Sequence, residues 1–190
     1  RIERDRVVAA LGAWRDVERE SGLAVTLIQA VQAGEKMDYT VQKAVELGVS
    51  HIVPVDSRRS VTRLSGERAA RRVAHWQGVA AAACEQCGRN QVPQLAPLEK
   101  LENWLARPAN GTLRLILAPD AEQALVDLPP VNNVQMLIGA EGGLDPQEIV
   151  AAQQVGFTAV RMGPRILRTE TAGLAALAAM QALWGDFRGG

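Results

Sequence analysis

The chain has 190 residues, of which 47% are hydrophobic and 22% are charged, and its formal net charge is zero. These values are typical of a soluble globular protein with one substantial domain, and they exclude a strong overall field that would attract nucleic acid. No apolar run approaches the ~20 residues that a membrane span needs, and no signal peptide opens the chain. We therefore expect a cytoplasmic protein. Since the chain begins with Arg1 instead of Met, we also expect that an N-terminal piece is missing from it.

Strand-like and helix-like segments alternate along most of the chain. Apolar, β-rich runs predict strands over 23–30, 51–55, 112–117, 134–138 and 158–162, and the remaining periodicity predicts helices over 36–47, 66–85, 98–106, 146–155 and 169–184. Residues 1–20 are irregular, which places a boundary near residue 20. Pro54 cannot donate a ladder hydrogen bond, so the second strand is expected to end there or to lie near a sheet edge.

Capping residues mark the ends of two predicted helices. Gly48 is suited to the position just after the first helix. Asp145, Pro146 and Glu148 form a start that resembles a capping box, and Gly156 ends the same helix. Because strands alternate with helices and are apolar enough to be covered on both faces, the sequence predicts an α/β fold with a parallel sheet and helices on both faces.

The two cysteines, Cys84 and Cys87, form a C-x-x-C pair that is compatible with half a zinc site or with a redox site. A zinc site needs two further ligands, and His51 and His75 are not at ligand-like spacing. The pair also lies late in a predicted helix, whereas a redox pair normally begins one. We favour two reduced structural thiols in a reducing compartment, and we expect no metal.

Arginine is used in place of lysine almost throughout, and it is concentrated between residues 58 and 72. The planar guanidinium group binds phosphate through two hydrogen bonds and stacks on bases. The alternative is a solvated helix face with scattered ion pairs, and the sequence leaves both interpretations open. The candidates for RNA contact are Arg58, Arg59, Arg63, Arg71 and Arg72.

Ligands of open α/β sheets bind beyond the carboxyl ends of the strands, and three such ends are unusual here: 117–120, 138–143 and 162–172. In the second, three glycines allow a ligand to approach the main chain closely. Their G-x-x-G-G spacing fits neither a dinucleotide fingerprint nor a P-loop. Glu141 disfavours phosphate and favours a cationic or hydroxyl-bearing ligand, such as S-adenosylmethionine. A glycine turn between a strand and a helix is the structural alternative.

The third segment places charges where stability alone gains little. Arg165, Arg168 and Glu170 lie in or beside a loop that enters a buried-looking helix, and the Ile-Leu pair between the arginines can wall an adenine. Thr169 is expected to cap that helix. A structural Arg–Glu pair is the alternative explanation.

A resemblance joins these segments. The motif Ile138-Gly139-x-Glu141-Gly142-Gly143, followed by Gly-Pro-Arg-Ile-Leu-Arg-Thr-Glu-Thr-Ala over 163–172, resembles the 16S ribosomal RNA uridine-N3 methyltransferase family of the knotted SPOUT class. The similarity extends through 43–49, 58–60 and 85–89 and covers about residues 20–186. Ala140 stands where the family usually has proline, a change that loosens the turn but removes no donor or charge.

The resemblance implies a C-terminal trefoil knot that holds S-adenosylmethionine, a homodimer whose sites are completed by the partner chain, and an N-terminal PUA-like β-barrel. Residues 1–20 would then be the remnant or linker of that barrel, and 21–190 the SPOUT methyltransferase domain. The implied cofactor contacts are Leu117, Ile138, Gly139, Glu141, Gly142, Met162, Ile166, Leu167, Arg168 and Ala172.

The implied reaction is methylation of N3 of a specific uridine in 16S ribosomal RNA or the small ribosomal subunit. N3 is a poor nucleophile until it loses its proton. We expect Arg165 or Arg168 to stabilise the uracil oxyanion, and Glu170 or Glu85 to act as the base. The alternatives are a SPOUT-fold methyltransferase of another RNA and a non-catalytic RNA-binding assembly factor, which would show a damaged cofactor loop.

Overall fold

The structure is a computed structural model that describes residues 2–3, 6–109 and 111–188. Its strands are β1 (Ile2–Glu3), β2 (Arg6–Val7), β3 (Ala24–Ala30), β4 (His51–Asp56), β5 (Gln94–Leu95), β6 (Glu99–Lys100), β7 (Leu113–Leu117), β8 (Gln123–Ala124), β9 (Asn133–Ile138) and β10 (Phe157–Arg161). Its α-helices are α1 (Lys36–Glu46), α2 (Gly66–Cys87), α3 (Leu101–Leu105), α4 (Pro146–Gln154) and α5 (Thr169–Trp184).

Strands β3 to β10 form one sheet of eight strands, in the order β5-β4-β3-β9-β7-β10-β8 with β6 also paired to β4. Every pairing in this sheet is parallel. The first two strands form a separate antiparallel pair. The predicted parallel α/β sheet is confirmed.

Helices cover both faces of the sheet because neighbouring residues of the central strands point apolar side chains to opposite sides. Leu27 and Met136 pack in a core with α1, α2 and α5. Ile28 and Leu137, the next residues along, pack in a second core with α3 and α4. The helices on both faces are therefore confirmed, and the trefoil knot stays a prediction.

Local signals located the helix ends well. Asp145 accepts a hydrogen bond from the Gln147 N–H at 3.0 Å, and Glu148 returns the interaction by accepting from the Asp145 N–H at 2.9 Å. Gly48 and Gly156 have φ angles of +79° and +92°, the left-handed conformation that glycine adopts without steric cost. Helix α5 has the predicted bounds.

The sheet edge corrects one prediction and confirms another. The helix predicted over 98–106 is shorter, because Glu99 and Lys100 pair with β4 as a strand before α3 begins. Strand β4 continues past Pro54 to Asp56. Its outer side pairs with β5 at His51–Ile52 and with β6 at 55–56, so Pro54 lies in the gap where no donor is needed. The predicted edge position is thus confirmed.

The segment before β3 is attached to the domain by a buried ion pair. The Arg89 side chain, only 7% exposed, donates from Nε to both carboxylate oxygens of Glu20 at 3.1 Å. Its Nη1 donates to the Val45 and Val49 carbonyls at 2.9 Å. The domain boundary near residue 20 stays a prediction. Within the described residues, no helix combines the length and apolar character that crossing a membrane would require.

Candidate functional site

A cavity of about 190 Å³ lies beyond the carboxyl ends of β7, β9 and β10. The parallel register pairs Ile116 with Leu137 and Leu117 with Val160, so the three strands end together at one edge of the sheet. The loops that leave these strands form the walls. The lining residues are Leu117, Ala118, Pro119, Ile138, Gly139, Ala140, Glu141, Gly143, Met162, Gly163, Arg165, Ile166, Leu167, Arg168, Thr169 and Ala172.

The fold brings the candidate cofactor residues together from three distant segments. All of the implied contacts except Gly142 line this cavity, and Arg165 lines it as well. Gly142 faces the neighbouring loop instead: a Cβ built on it would be 3.3 Å from the Arg59 Cβ, and its carbonyl accepts a hydrogen bond from Arg59. Whether the lining residues bind a cofactor stays a prediction.

The cavity has apolar walls and one position at which only glycine fits. Ile138 is buried, whereas Ile166 is 84% exposed and presents its side chain to solvent at the rim. A Cβ on Gly139 would be 2.5 Å from the carbonyl carbon of Gly143, so a larger residue would displace the loop. Apolar walls with a few polar groups are typical of small-molecule sites.

Glu141 supplies a negative charge to this cavity. Burial alone would raise the pKa of its carboxyl group, but hydrogen bonds from the backbone N–H groups of Ala33 and of Glu141 itself, together with the Lys36 ammonium group, lower that pKa overall. The Ala33 N–H is 2.9 Å from Glu141 Oε1, and Lys36 Nζ is 3.5 Å from it. The carboxylate is therefore ionised at neutral pH.

Glu170, the first candidate for the base, does not line the cavity. It lies 3.9 Å from Lys36 Nζ, and its Oε2 is buried without a hydrogen-bond partner among the described residues. Glu85, the other candidate, is exposed on α2 and does not line the cavity either. Lys36, which contacts both Glu141 and Glu170, was missed. A lysine at a helix N-terminus opposes the helix dipole, and that unfavourable placement was the available signal.

Arg165 and Arg168 are exposed at the cavity rim. Across residues 2–3, 6–109 and 111–188, neither guanidinium group makes a hydrogen bond or an ion pair. The structural Arg–Glu alternative does not hold among these residues, because the ion pair of Glu170 is with Lys36. Both arginines are free to meet a ligand.

The expectation that Thr169 caps α5 is wrong. Arg168 occupies the N-cap position and makes no side-chain capping bond. The Thr169 hydroxyl group instead donates to the Gly139 carbonyl at 2.5 Å and accepts from the amide nitrogens of Gln29 and Gln32 at 3.1 and 3.3 Å. It turns inward to the glycine loop, which is 30 residues away in the sequence.

The first three arginines of the cluster, Arg58, Arg59 and Arg63, are held by other parts of the chain. Arg58 lies 3.7 Å from Glu102 and from Asp145. Arg59 lies 3.8 Å from Asp145 and donates to the Gly142 carbonyl at 3.0 Å. Arg63 pairs with Asp56 and donates to the Ser57 and Arg58 carbonyls at 2.9 and 2.8 Å. Arg58 and Arg59 thus attach the 57–63 loop to the glycine loop and to the start of α4, whereas Arg63 binds within its own loop and to the end of β4.

The later arginines line a second, open groove of about 770 Å³. Arg72 is partly engaged, at 3.4 Å from Asp38 and over the Trp76 ring. Among the residues that the structure describes, Arg71 pairs only with the highly exposed Glu67, at 3.4 Å. Arg68, which belongs to the same 58–72 cluster, is exposed and has no partner in the described part of the chain. The 31–35 turn lines this groove, and its Ala33 N–H donates to Glu141, which lines the cavity.

Both cysteines are free thiols, with Cys84 buried and Cys87 half-buried. Burial raises the pKa of the Cys84 thiol, which keeps it protonated and unreactive. This environment favours the structural interpretation of the pair.

Comparison with known proteins gives consistent matches. A family model described as RNA methyltransferase domain matches residues 19–181. Ribosomal RNA small subunit methyltransferase E of Buchnera aphidicola subsp. Schizaphis graminum is 38% identical over 168 residues, which are 88% of this chain and 68% of the relative. The protein of the same name from Bacillus subtilis is 29% identical over 188 residues, 94% of this chain and 73% of the relative.

Solved structures are similar over the same region. Ribosomal RNA small subunit methyltransferase E of Neisseria gonorrhoeae, bound to S-adenosyl methionine, has a TM-score of 0.87 and 47% identity, covering 91% of this chain and 72% of that one. A methyltransferase of Legionella pneumophila in complex with the same cofactor also has a TM-score of 0.87, with 39% identity and coverage of 91% and 72%.

Proposed function

Because the chain belongs to the ribosomal RNA small subunit methyltransferase E family, we propose that it methylates N3 of a uridine in small-subunit ribosomal RNA with S-adenosylmethionine as the donor. One observation carries the proposal: three strand ends build a cavity with apolar walls, an ionised glutamate and two arginines that have no partner among the described residues. The proposed substrate places the protein in the cytoplasm.

The residues of the cavity suit this cofactor. Leu117, Ile138, Met162 and Leu167 offer apolar surface for the faces of an adenine ring, and the exposed Ile166 can close over it. The ionised Glu141 suits ribose hydroxyl groups or the positive sulfur centre. When bound, the cofactor supplies an electrophilic methyl group.

The chemistry of the chain is to make uridine N3 nucleophilic. The N3–H bond breaks, its proton passes to water at the open rim, and the N3 lone pair becomes free to attack the methyl carbon. As the N–C bond forms, the bond between that carbon and sulfur would break and its electron pair would stay on sulfur, so that a neutral thioether would leave. The negative charge of the deprotonated base is shared by its carbonyl oxygens, where a fixed guanidinium group stabilises it. Arg165 and Arg168 are suited to this role because no other group of the described chain engages them. Glu170 then serves to pair with Lys36, not to remove the proton.

RNA binding is assigned mainly to the groove beside the cavity. Arg68 and Arg71 can turn to phosphate at little cost, since Arg68 is unpaired and the Arg71–Glu67 pair is highly exposed. Arg58, Arg59 and Arg63 would have to give up interactions within the chain first. Arg72 is intermediate because it shares Asp38.

Three further features belong to the proposal through the family. We place the cofactor cavity within a trefoil knot, we expect a homodimer, and we assign residues 1–20 to the connection with an N-terminal RNA-binding barrel. Light scattering of the purified chain tests the dimer directly, because a monomer at micromolar concentration would contradict it.

The proposed function is tested by calorimetry with S-adenosylmethionine, followed by methyl transfer to isolated small ribosomal subunits and mass mapping of the product. We expect saturable binding and a single 3-methyluridine. A methylated ribose or a product only on transfer RNA would favour a different SPOUT enzyme. Absence of cofactor binding would favour a non-catalytic assembly factor.

A further inference from the structure

The two loops that form most of the cofactor cavity meet at one buried hydroxyl group. Thr169 follows the 163–168 loop at the start of α5, and Gly139 opens the glycine loop after β9. Thr169 Oγ1 donates to the Gly139 carbonyl at 2.5 Å. Both residues line the cavity, so the distance between its two walls is set at this bond.

The hydroxyl group is fully engaged. A threonine hydroxyl has one hydrogen to donate and two lone pairs that can accept. The hydrogen goes to Gly139, and the lone pairs accept from Gln29 Nε2 at 3.1 Å and Gln32 Nε2 at 3.3 Å. With no capacity left, this group takes no part in the chemistry, and its contribution is to hold its neighbours in place.

The glutamines anchor this hydroxyl to the rest of the domain. Gln29 lies on β3 and is fully buried, and Gln32, which is 2% exposed, accepts from the Thr40 hydroxyl on α1 at 2.9 Å. Helix α5 makes room for this network with Gly173, where a Cβ would approach Gln29 Oε1 to 3.3 Å. Glycine is disfavoured inside helices. Its presence at this position is explained by the lack of space for a Cβ next to the Gln29 side chain.

We infer that Thr169 is a positioning residue that joins the glycine loop to the 163–168 loop and thereby sets cofactor affinity. The inference rests on the proposed function, since it assumes that the cavity between these loops is the cofactor site. Loss of the hydroxyl would leave Gln32 Nε2 without an acceptor among the described residues. The Gly139 carbonyl would keep only the longer bond from Gln29 Nε2, at 3.4 Å, and the loops would move apart to reach water.

The test compares Thr169→Ala with Thr169→Ser, because both lack the methyl group and only serine keeps the hydroxyl. We expect the alanine variant to bind S-adenosylmethionine about tenfold more weakly in calorimetry and the serine variant to stay within about threefold of wild type. Thr40→Ala is the matched control: it removes a buried hydroxyl from the same network without touching either loop, and its Kd should change by no more than about twofold. Should the alanine variant fail to fold, Thr169→Val replaces it.

A second readout needs no cofactor. Hydrogen exchange of the peptide spanning 139–145 should be about tenfold faster in Thr169→Ala than in Thr169→Ser or Thr40→Ala. Equal affinity and equal exchange in the alanine and serine variants would overturn the inference, as would an equal loss in Thr40→Ala. If wild type itself binds no S-adenosylmethionine, the proposed function fails, and the exchange comparison alone decides the role of Thr169.

Discussion

Two arginine-containing loops lie beside the glycine loop. They differ in whether their guanidinium groups are bonded to other groups of the chain. In the 57–63 loop every guanidinium group is bonded to a carboxylate or carbonyl of the chain. In the 163–168 loop Arg165 and Arg168 line the cavity and have no such partner within the described residues. A cluster of arginines in a sequence therefore indicates only a concentration of positive charge, whereas the availability of each guanidinium group for a ligand depends on which groups the fold places next to it.

The strongest test of this contrast replaces one arginine from each loop. Arg165→Ala should lower the rate of methyl transfer about 100-fold, the effect of losing one preorganised donor to a developing oxyanion. Arg63→Ala should leave that rate within about twofold but lower the midpoint of thermal unfolding, because the side chain fastens the loop. Single-turnover assays and thermal scans on both variants make the comparison, and equal rate losses would remove the distinction.

The contrast between bonded and available arginines can also be tested through RNA binding, with the arginines of the groove as the available set. The double variant Arg68→Gln with Arg71→Gln should reduce the salt dependence of RNA binding by about 0.7 in the log–log slope for each phosphate contact that is lost. Arg58→Gln with Arg59→Gln removes the same formal charge from groups that are already paired, so its slope should stay near that of wild type. Titrations over a range of salt concentration measure both slopes. A larger change in the second variant would mean that those pairs open when RNA binds.

Asp145 connects the paired arginines to α4 and offers a smaller effect on stability. Its side chain caps the helix and lies near both Arg58 and Arg59. Asp145→Ala should cost about 1–2 kcal/mol in the free energy of unfolding, whereas the exposed Asp120→Ala should stay within about 0.5 kcal/mol of wild type. Urea denaturation at neutral pH distinguishes the two variants. A cost at Asp145 no larger than that at Asp120 would show that the cap contributes nothing.

Glu141 gives the smallest expected effect and a characteristic pH dependence. Since its pKa is lowered from the ordinary 4.5, its ionised form stabilises the folded chain. That contribution is complete above the ordinary pKa and is lost as the pH falls through the lowered one. The stability difference between wild type and Glu141→Gln, under about 1 kcal/mol, should therefore persist from pH 8 to pH 5 and shrink below pH 4. Denaturant titrations of both proteins across this range test it, and a difference that does not shrink below pH 4 would contradict it.

The structural features that could be predicted from the sequence are those that depend on residues close together in the chain. The Asp145 cap, the glycine ends at Gly48 and Gly156 and the bounds of α5 follow from residues within one helical turn. The strand ends that carry the site could also be predicted, because parallel strands place their carboxyl ends at one edge. The motif added the identity of the residues around the cavity.

Contacts between residues that lie far apart in the sequence could not be predicted from these local patterns. Thr169 was predicted to be a cap because it stands at the start of a helix. The hydrogen bonds that its hydroxyl group actually makes, with Gly139, Gln29 and Gln32, involve other elements and cannot be seen in the local sequence. The contact of Glu170 with Lys36 could not be predicted, because nothing in the local sequence shows that the two side chains lie 3.9 Å apart. The short strand β6 displaced the predicted start of a helix because β4 offers hydrogen bonds that a single-segment pattern does not contain.

The gap around Pro54 has a consequence for the behaviour of the chain in concentrated solution. The outer side of β4 is divided between two strands of two residues each, and the opposite margin of the sheet ends in the two-residue strand β8. A long open margin of unpaired N–H and C=O groups would invite another chain to add a strand and begin aggregation. Margins built from two-residue strands, one of them interrupted at Pro54, offer few consecutive donors for such growth. This domain can therefore keep a largely apolar parallel sheet without exposing a long template for fibrils.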